Sequence, residues 1–392
     1  MYVYPYYARV YSHDQGDFKS VRNSNILIYW PHGFGDFVHL SYLIPLLESS
    51  NNYWITRFGD DYISVMEGHD RVSPLYLGTS STHVHHGALY HNRHFGLDYS
   101  EIDGTVKRLN LPFSLYRVCK QHRIDVVLWS GYPETWGRTP FPYHSKIRHL
   151  IPYLVREEAQ NQIKVGQPLK SSINFEVAPW ILRWVEARLA SFAGFGVRKL
   201  CLISRNGYTS IGKNWGHCWR EDLPPTQRRE GQECRDFMRL MLRKDRRWMF
   251  LVMEDRLFSG DDTVRSPKFN SYSYAELFGI SGASSVPYGI VMKALVNLAT
   301  LSIGVPTGTY HLSMAKADLP TIGIWTEHLP SWFDEPKTSS IHLISRNVCE
   351  QQLDLRPGSF CQKGELEFRM LWVASRVITG AQVLSAVEQL FS

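Results

Sequence analysis

The stretch Leu301–Trp325 does most to limit what this chain can fold into. Leu301–Val305 (LSIGV) reads as a short buried strand, and Thr307-Gly308-Thr309 as a turn that opens a helix. His311–Lys316 (HLSMAK) continues that helix, Leu319-Pro320 stops it, and Thr321–Trp325 (TIGIW) is a second strand. Strand, tight turn, helix and strand in so short a span form a βαβ unit, which requires a parallel sheet. The turn falls at the carboxyl end of its strand, where open α/β sheets bind ligands. Unsatisfied N–H groups at the start of the helix, backed by the helix dipole, suit a phosphate. Thr307 and Thr309 add hydroxyl donors, Gly308 lets a ligand approach the backbone, and His311 lies one turn further in. The competing reading of the same residues is an ordinary tight turn with a threonine cap.

At 392 residues the chain is longer than one core usually serves, so two domains are expected, 1–178 and 179–392. Hydrophobic residues make up 44% and charged ones 20%, the balance of an ordinary soluble globular protein. No apolar run reaches the roughly 18 residues of a membrane span. The opening MYVYPYYARVYSHDQGDF lacks the apolar core and cleavage pattern of a secretory signal. The six cysteines are scattered with no C-x-x-C pair, which points to free thiols in a reducing cytoplasm. The net charge of +6 suits an anionic substrate or a peripheral contact with a membrane surface, and it does not mark a nucleic-acid binder.

In the first half, Asn25–Trp30 (NILIYW) reads as a buried strand, and Pro31–Asp36 (PHGFGD) as a glycine-rich turn. Phe37–Glu48 follows with helical spacing at Val38, Leu40, Leu43, Ile44, Leu46 and Leu47. Gly33, Gly35 and Asp36 therefore sit in the loop of the first βα unit. A dinucleotide fingerprint would need a third glycine at position 38, which is valine. Two readings remain: Asp36 as a helix N-cap, or Asp36 as a general base beside glycines that leave room for a substrate. Tyr53–Phe58 and Ile124–Ser130 are further strands, and Val106–His122 contains a helix. Thr82–His94 holds five histidines among Gly, Asn and Arg neighbours, the company of a polar loop rather than of a fixed metal frame. Gly131–Pro142 reads as a cleft-lining loop, His144–Gln162 as helix, and Gly166–Ala178 as a linker.

The second half repeats the plan. Pro179–Phe192 is a helix entered at proline, and Lys199–Ser204 (KLCLIS) is the first strand. Arg205 follows at its carboxyl end and Lys213-Asn214-Trp215 lies just beyond, so both cations stand where a phosphate could be met, or are solvated loop charges. Glu233–Lys244 is a helix, and Trp248–Met253 (WMFLVM) a buried strand. That strand ends at Glu254-Asp255, carboxylates that suit a ribose or base edge or simply begin a loop. Tyr274–Phe278 and Tyr288–Ala299 are helices, and Ala381–Phe391 is an amphipathic closing helix. Asp261-Asp262 sits in a polar loop with no supporting cluster, so no metal site is expected.

Taken in order, these pieces resemble a GT-B glycosyltransferase, and more narrowly glycosyltransferase family 9, the heptosyltransferase family. The family's S-x-G-D loop before an apolar helix is matched by Gly33-Phe34-Gly35-Asp36. Its lysine followed by Trp-Pro is matched in part by Lys213-Asn214-Trp215, with Gly216 in the proline's place. Its D-T-G-x-x-H-L motif is matched by Thr307–Leu312, and its F-G-x-T loop by Gly323–Thr326. Pro306 stands where the family has aspartate, a residue implicated in holding the nucleotide sugar, and proline also removes one backbone N–H from the turn. The resemblance implies two Rossmann-like domains facing across a cleft and an inverting, metal-independent transfer with Asp36 as the base. It implies that Lys213, Arg205, Thr307, Gly308 and Thr309 meet the donor diphosphate, and Glu254 and His311 are further donor-binding candidates by their positions. The donor would be ADP-heptose or another nucleotide sugar, bound as substrate with no cofactor. The acceptor would be a lipopolysaccharide core sugar, another glycan or a protein side chain, reached at the cytoplasmic face of the inner membrane. A non-catalytic nucleotide-sugar-binding protein and a sugar-nucleotide epimerase are the alternatives on the same frame.

Overall fold

A computed structural model describes residues 3–11, 22–30, 33–57, 61–77, 106–129, 155, 170–192, 199–205, 215, 232–253, 270–279, 286–326, 339–346, 348, 370–373, 375 and 377–392. They fall into two compact units, one running to Asn174 and taking in Pro287–Gly289, the other holding the rest. From Lys170 to Ala178, across that division, the chain forms neither helix nor strand.

The first unit is built on a six-stranded sheet. Its strands are β1 (Val3–Tyr11), β2 (Asn25–Tyr29), β3 (Asn52–Arg57), β4 (Val72–Tyr76), β5 (Val106–Pro112) and β6 (Val126–Trp129), in the order β4-β3-β2-β6-β1-β5. All neighbours run parallel except β1 and β5. Ile26, Leu27, Ile28 and Tyr29 of β2 are all buried, as a central parallel strand with both faces covered must be. The helices are α1 (Phe34–Ser41) and α2 (Phe113–Gln121). The chain steps outward from β2 to β3 and β4, then returns with β6 on the other flank of β2. The carboxyl end of β2 is therefore a topological switch point.

Two expectations in this unit are corrected. The helix after β2 covers Phe34–Ser41, with a separate 3-10 turn at Ile44–Leu46, instead of running unbroken from Phe37 to Glu48. Pro45 lies inside that 3-10 turn, and proline does not continue an α-helix already under way. Within the expected helix His144–Gln162, Val155 instead pairs antiparallel with Leu47; the rest of that segment lies outside the described residues.

The second unit carries a seven-stranded sheet in the order β13-β12-β11-β10-β7-β8-β9. The strands are β7 (Lys199–Ser204), β8 (Trp248–Val252), β9 (Ser271–Ser273), β10 (Leu301–Gly304), β11 (Thr321–Trp325), β12 (Ser340–Ser345) and β13 (Met370–Val373), all parallel. The helices are α3 (Pro179–Phe192), α4 (Gln232–Lys244), α5 (Tyr274–Phe278), α6 (Tyr288–Leu298, whose first two residues belong to the first unit), α7 (Gly308–Ala315) and α8 (Gly380–Phe391). Here the chain goes from β7 to β8 and β9, then comes back to β10 on the opposite flank of β7. The second switch point thus lies between the carboxyl ends of β7 and β10. The βαβ unit read from the sequence is β10–α7–β11, with Ser302 paired to Thr321 and Gly304 to Gly323.

One core cluster joins Ile203, Phe250, Ile303, Ile322 and Leu343 of the sheet to Trp215, Phe237, Val383 and Val387. Helix α8 begins with a capping box in which Thr379 Oγ1 accepts from Gln382 N and Gln382 Oε1 accepts from Thr379 N. Its first residue packs directly on α4: Gly380 N donates to Glu233 Oε2 at 2.9 Å, and a Cβ at Gly380 would lie 2.5 Å from both Glu233 O and Phe237 N. These neighbours are backbone atoms and cannot step aside. Gly380→Ala is expected to cost about 1–3 kcal/mol in chemical denaturation through this overpacking. A neutral result would mean that α8 sits further from α4 than described. Among the described residues, three thiols are buried: Cys119 of α2, Cys201 of β7 and Cys234 of α4. Burial pushes the Cys119 thiol up to about 12 and that of Cys201 well above its ordinary value.

Candidate functional site

The first switch point carries Asp36. Trp30 N donates to Thr56 O at 2.9 Å, extending the β2–β3 ladder by one residue before the chain turns into α1. Gly33, in extended conformation, is the N-cap, and Asp36 is the third residue of the helix. The N-cap reading of Asp36 is thereby corrected: glycine is tolerated as an N-cap, which let the helix start three residues earlier than expected. Asp36 Oδ2 accepts the Gly33 N–H at 3.0 Å, so the carboxylate folds back over the helix start, where the dipole favours negative charge. Gly35, the second residue of the helix, stands between them.

Neighbouring residues that sequence reasoning missed surround this turn. Arg57 ends β3, the strand beside β2, and is only 9% exposed. Its guanidinium lies 5.0 Å from the Tyr62 ring centroid and 5.9 Å from that of Phe37, the residue after Asp36. Aromatic faces stabilise a cation held in this way. Burial drives the Tyr29 phenol well above its ordinary range, opposed by the nearby Arg57 charge. Phe34, the first residue of α1, meets Tyr62 and Tyr288 edge-on at 5.7 and 5.2 Å. The available signal was the position of Arg57 as the last residue of YWITR, at the carboxyl end of the adjacent strand.

The second switch point gathers Arg205 and the Thr307 turn. Ser204 pairs with Gly304 across β7 and β10, and Val305 N donates to Ser204 O at 2.9 Å. Arg205 therefore leaves its strand beside Val305 and Pro306. Its side chain is buried, and its carbonyl accepts from Trp215 N at 2.7 Å. Trp215, fully buried, donates through Nε1 to Ile378 O at 3.0 Å and anchors the returning chain in the core. Thr307 is the N-cap of α7: its Oγ1 accepts from Tyr310 N at 3.5 Å and its carbonyl from His311 N at 2.9 Å. Thr307 and Gly308 are half-buried, while the side chains of Thr309 and His311 are turned inward, 5% and 8% exposed. The backbone N–H groups of Gly308 and Thr309, rather than the Thr309 hydroxyl, are thus the groups this turn offers an anion.

Lys213 and Glu254 lie outside the described residues, as do Thr82–His94, Gly131–Pro142 and Asp261-Asp262. Among the described residues, no three His, Cys, Asp or Glu side chains gather as a metal site would need, and no helix is long and apolar enough to cross a membrane.

Comparison with protein-family models gave no match, and comparison with curated protein sequences gave none either. Solved structures did match. A family 9 glycosyl transferase from Veillonella parvula superposes with a TM-score of 0.55 at 12% identity, over 95% of this chain and 99% of its own. The ADP-heptose lipopolysaccharide heptosyltransferase II of E. coli does so with a TM-score of 0.53 at 11% identity, over 93% and 98%. The dodecameric iron-containing heptosyltransferase TibC, in complex with ADP-D-beta-D-heptose, follows at 0.50 and 12%, over 95% of this chain and 77% of its own. At such identities the likeness is one of fold, and it extends over nearly the whole chain. The two α/β units are built on the GT-B plan of the family 9 glycosyltransferases, as the sequence motifs led us to expect.

Proposed function

We propose that the protein is a glycosyltransferase that moves a heptose or related sugar from a nucleoside-diphosphate donor to a hydroxyl group of a glycan or protein acceptor. One observation carries the reading: each unit places its motif residues at its own switch point, Asp36 in the first, Arg205 and the Thr307 turn in the second. In the reaction, Asp36 takes the acceptor hydroxyl's proton as that oxygen attacks the anomeric carbon. The new C–O bond forms as the bond to the diphosphate breaks, with inversion, and the bonding electrons leave on the diphosphate. Lys213, Arg205 and the N–H groups of Gly308 and Thr309 meet that growing charge, the part a metal ion plays in other transferases. Glu254 is assigned the ribose or base edge, and His311 supports the turn from within. TibC binds ADP-D-beta-D-heptose, so ADP-heptose is the first donor to test. We place the protein in the cytoplasm, reaching its acceptor at the inner membrane face.

Pro306 favours a second reading. It is buried immediately before the Thr307 cap and supplies no carboxylate to a donor sugar, as a protein that binds nucleotide sugars without transferring them could afford to lack. Calorimetry with ADP, GDP and UDP, followed by product analysis with the matching sugar donors, separates the two. Binding with turnover supports the transferase, binding without turnover the second reading, and no binding by any nucleotide overturns both. Gly308→Val is expected to weaken the bound nucleotide about tenfold or more, because a branched side chain enters the space of the diphosphate and removes charge-assisted bonds. Unchanged affinity in the folded variant would remove the diphosphate from this turn.

A further inference from the structure

Beneath the Thr307 turn, three elements of the second unit meet at one imidazole. His342 of β12 is fully buried, and its Nδ1 lies 3.0 Å from Trp325 Nε1 at the end of β11. An indole N–H only donates, so His342 Nδ1 is the acceptor and the ring proton sits on Nε2, 3.3 Å from Ser340 Oγ. The Tyr310 hydroxyl of α7 lies 3.2 Å from the same Nδ1; with no hydrogen on that nitrogen, the hydroxyl is the donor. Tyr310 and Trp325 pack edge-on at 5.7 Å and are both fully buried. Gly323, paired in register with His342, makes the junction fit: a Cβ there would stand 2.7 Å from Trp325 Nε1 and 2.8 Å from both His342 Nδ1 and the Tyr310 hydroxyl. Tyr310 is also the residue whose N–H is turned toward the Thr307 cap oxygen. One side chain is therefore tied at its backbone to the turn and at its tip to His342.

We propose that His342 is the positioning residue of the donor turn: through Tyr310 it holds the first turn of α7 where the N–H groups of Gly308 and Thr309 meet a nucleoside diphosphate. The inference rests on the donor site proposed above. Buried hydrogen-bonded networks fix one arrangement of the parts they join, because any other leaves a polar group unsatisfied. An apolar contact at the tip of Tyr310 would hold the helix without fixing its depth. The neutral imidazole, its single Nδ1 lone pair shared between the Trp325 indole and the Tyr310 hydroxyl, keys α7 to β11 and β12 together.

Three variants test this: Tyr310→Phe, which removes only the hydroxyl; His342→Leu, which removes the acceptor; and His342→Asn, whose amide oxygen can replace Nδ1 as acceptor. Affinities for ADP, GDP and UDP are measured by calorimetry well below each melting temperature, with donor KM and kcat wherever turnover is found. Tyr310→Phe and His342→Leu are expected to weaken the nucleotide that the wild type binds by about three- to tenfold, the worth of one hydrogen bond, with KM rising and kcat little changed. His342→Asn is expected to restore affinity to near the wild-type value. Equal affinity in wild type and folded Tyr310→Phe, whatever the melting temperatures, would reduce His342 to a structural residue and overturn the inference. Failure of the wild type to bind any of the three nucleotides overturns the donor site itself, and this inference with it.

Discussion

Sugar transfer by Asp36→Asn is expected to fall about 10²–10⁴-fold, the usual worth of a positioned general base, while the protein melts almost where the wild type does. The two halves of that expectation come from different atoms. The asparagine oxygen can still accept the Gly33 N–H that Asp36 Oδ2 accepts at 3.0 Å, so the helix start keeps its bond. An amide cannot take the acceptor's proton, so the chemical step loses its base. Nucleotide affinity should hardly move, because the donor groups proposed above belong to the other unit. Asp36→Ala serves as the control, since it loses both functions and should also cost on the order of 1 kcal/mol of stability. Product formation by mass spectrometry, with melting curves on both variants, reads the outcome. Full transfer by folded Asp36→Asn would leave Asp36 a helix-start residue and nothing more.

The second large effect is on stability. Trp215→Ala should cost about 3–5 kcal/mol, the range for deleting a large aromatic side chain from a core. Trp215 is fully buried, packs against Phe237 with ring centroids 5.8 Å apart, and donates its indole N–H to Ile378 O. Truncation opens a cavity in the main core cluster of the second unit and strands a carbonyl. For a unit of this size the loss corresponds to a melting temperature lowered by roughly 10 °C or more. Trp215→Phe isolates the polar part and should cost about 1 kcal/mol, since it keeps most of the ring volume but not the N–H. Trp215 N also donates to Arg205 O, so donor affinity should weaken with the alanine variant even below its melting transition. A cost below about 1 kcal/mol for alanine would show that the cavity collapses, against the close packing of protein interiors.

Several helices and central strands were legible because they carry their own end signals. Pro179–Phe192 and Tyr274–Phe278 match to the residue, the first opened by proline and the second by the capping pair Ser273 and Glu276. Continuous apolar runs marked β2, β7, β8, β10 and β11, which are buried on both faces. The strands missed were partly peripheral, although β12, buried between β11 and β13, was missed as well. β4 contains Pro74, tolerable because it pairs only with β3 at the sheet's edge, and β9 is three residues long. β1 contains Pro5, in the part of the strand that pairs with β5 alone; β6 pairs with Arg9–Tyr11. β5, antiparallel at the opposite edge, has Lys107, Arg108 and Asn110 breaking its apolar pattern. Asp36, Arg205 and the Thr307 turn could be proposed as site residues because each lies within a few residues of the carboxyl end of a readable strand. Arg57 could not, since one arginine is ordinarily a solvated charge and only the sheet order shows it beside β2. The Tyr310, Trp325 and His342 junction was hidden for a related reason. Its members are 15 and 17 residues apart in sequence and meet through strand register, which no local pattern records.

The buried thiols make each unit report its own opening. Cys119 belongs to the first unit, Cys201 and Cys234 to the second, and none of them reaches solvent in the folded chain. A sulfhydryl reagent attacks the thiolate, and burial withholds both access and ionisation from Cys119 and Cys201. Modification of these sites therefore waits for the surrounding structure to open, so its rate measures local unfolding instead of surface chemistry. Peptide mass analysis after timed alkylation would separate the clock of the first unit from that of the second in a single unmutated sample. If nucleotide binds the second unit as proposed, adding it should slow the Cys201 and Cys234 clocks, while the Cys119 clock reports whether the first unit feels that binding at all.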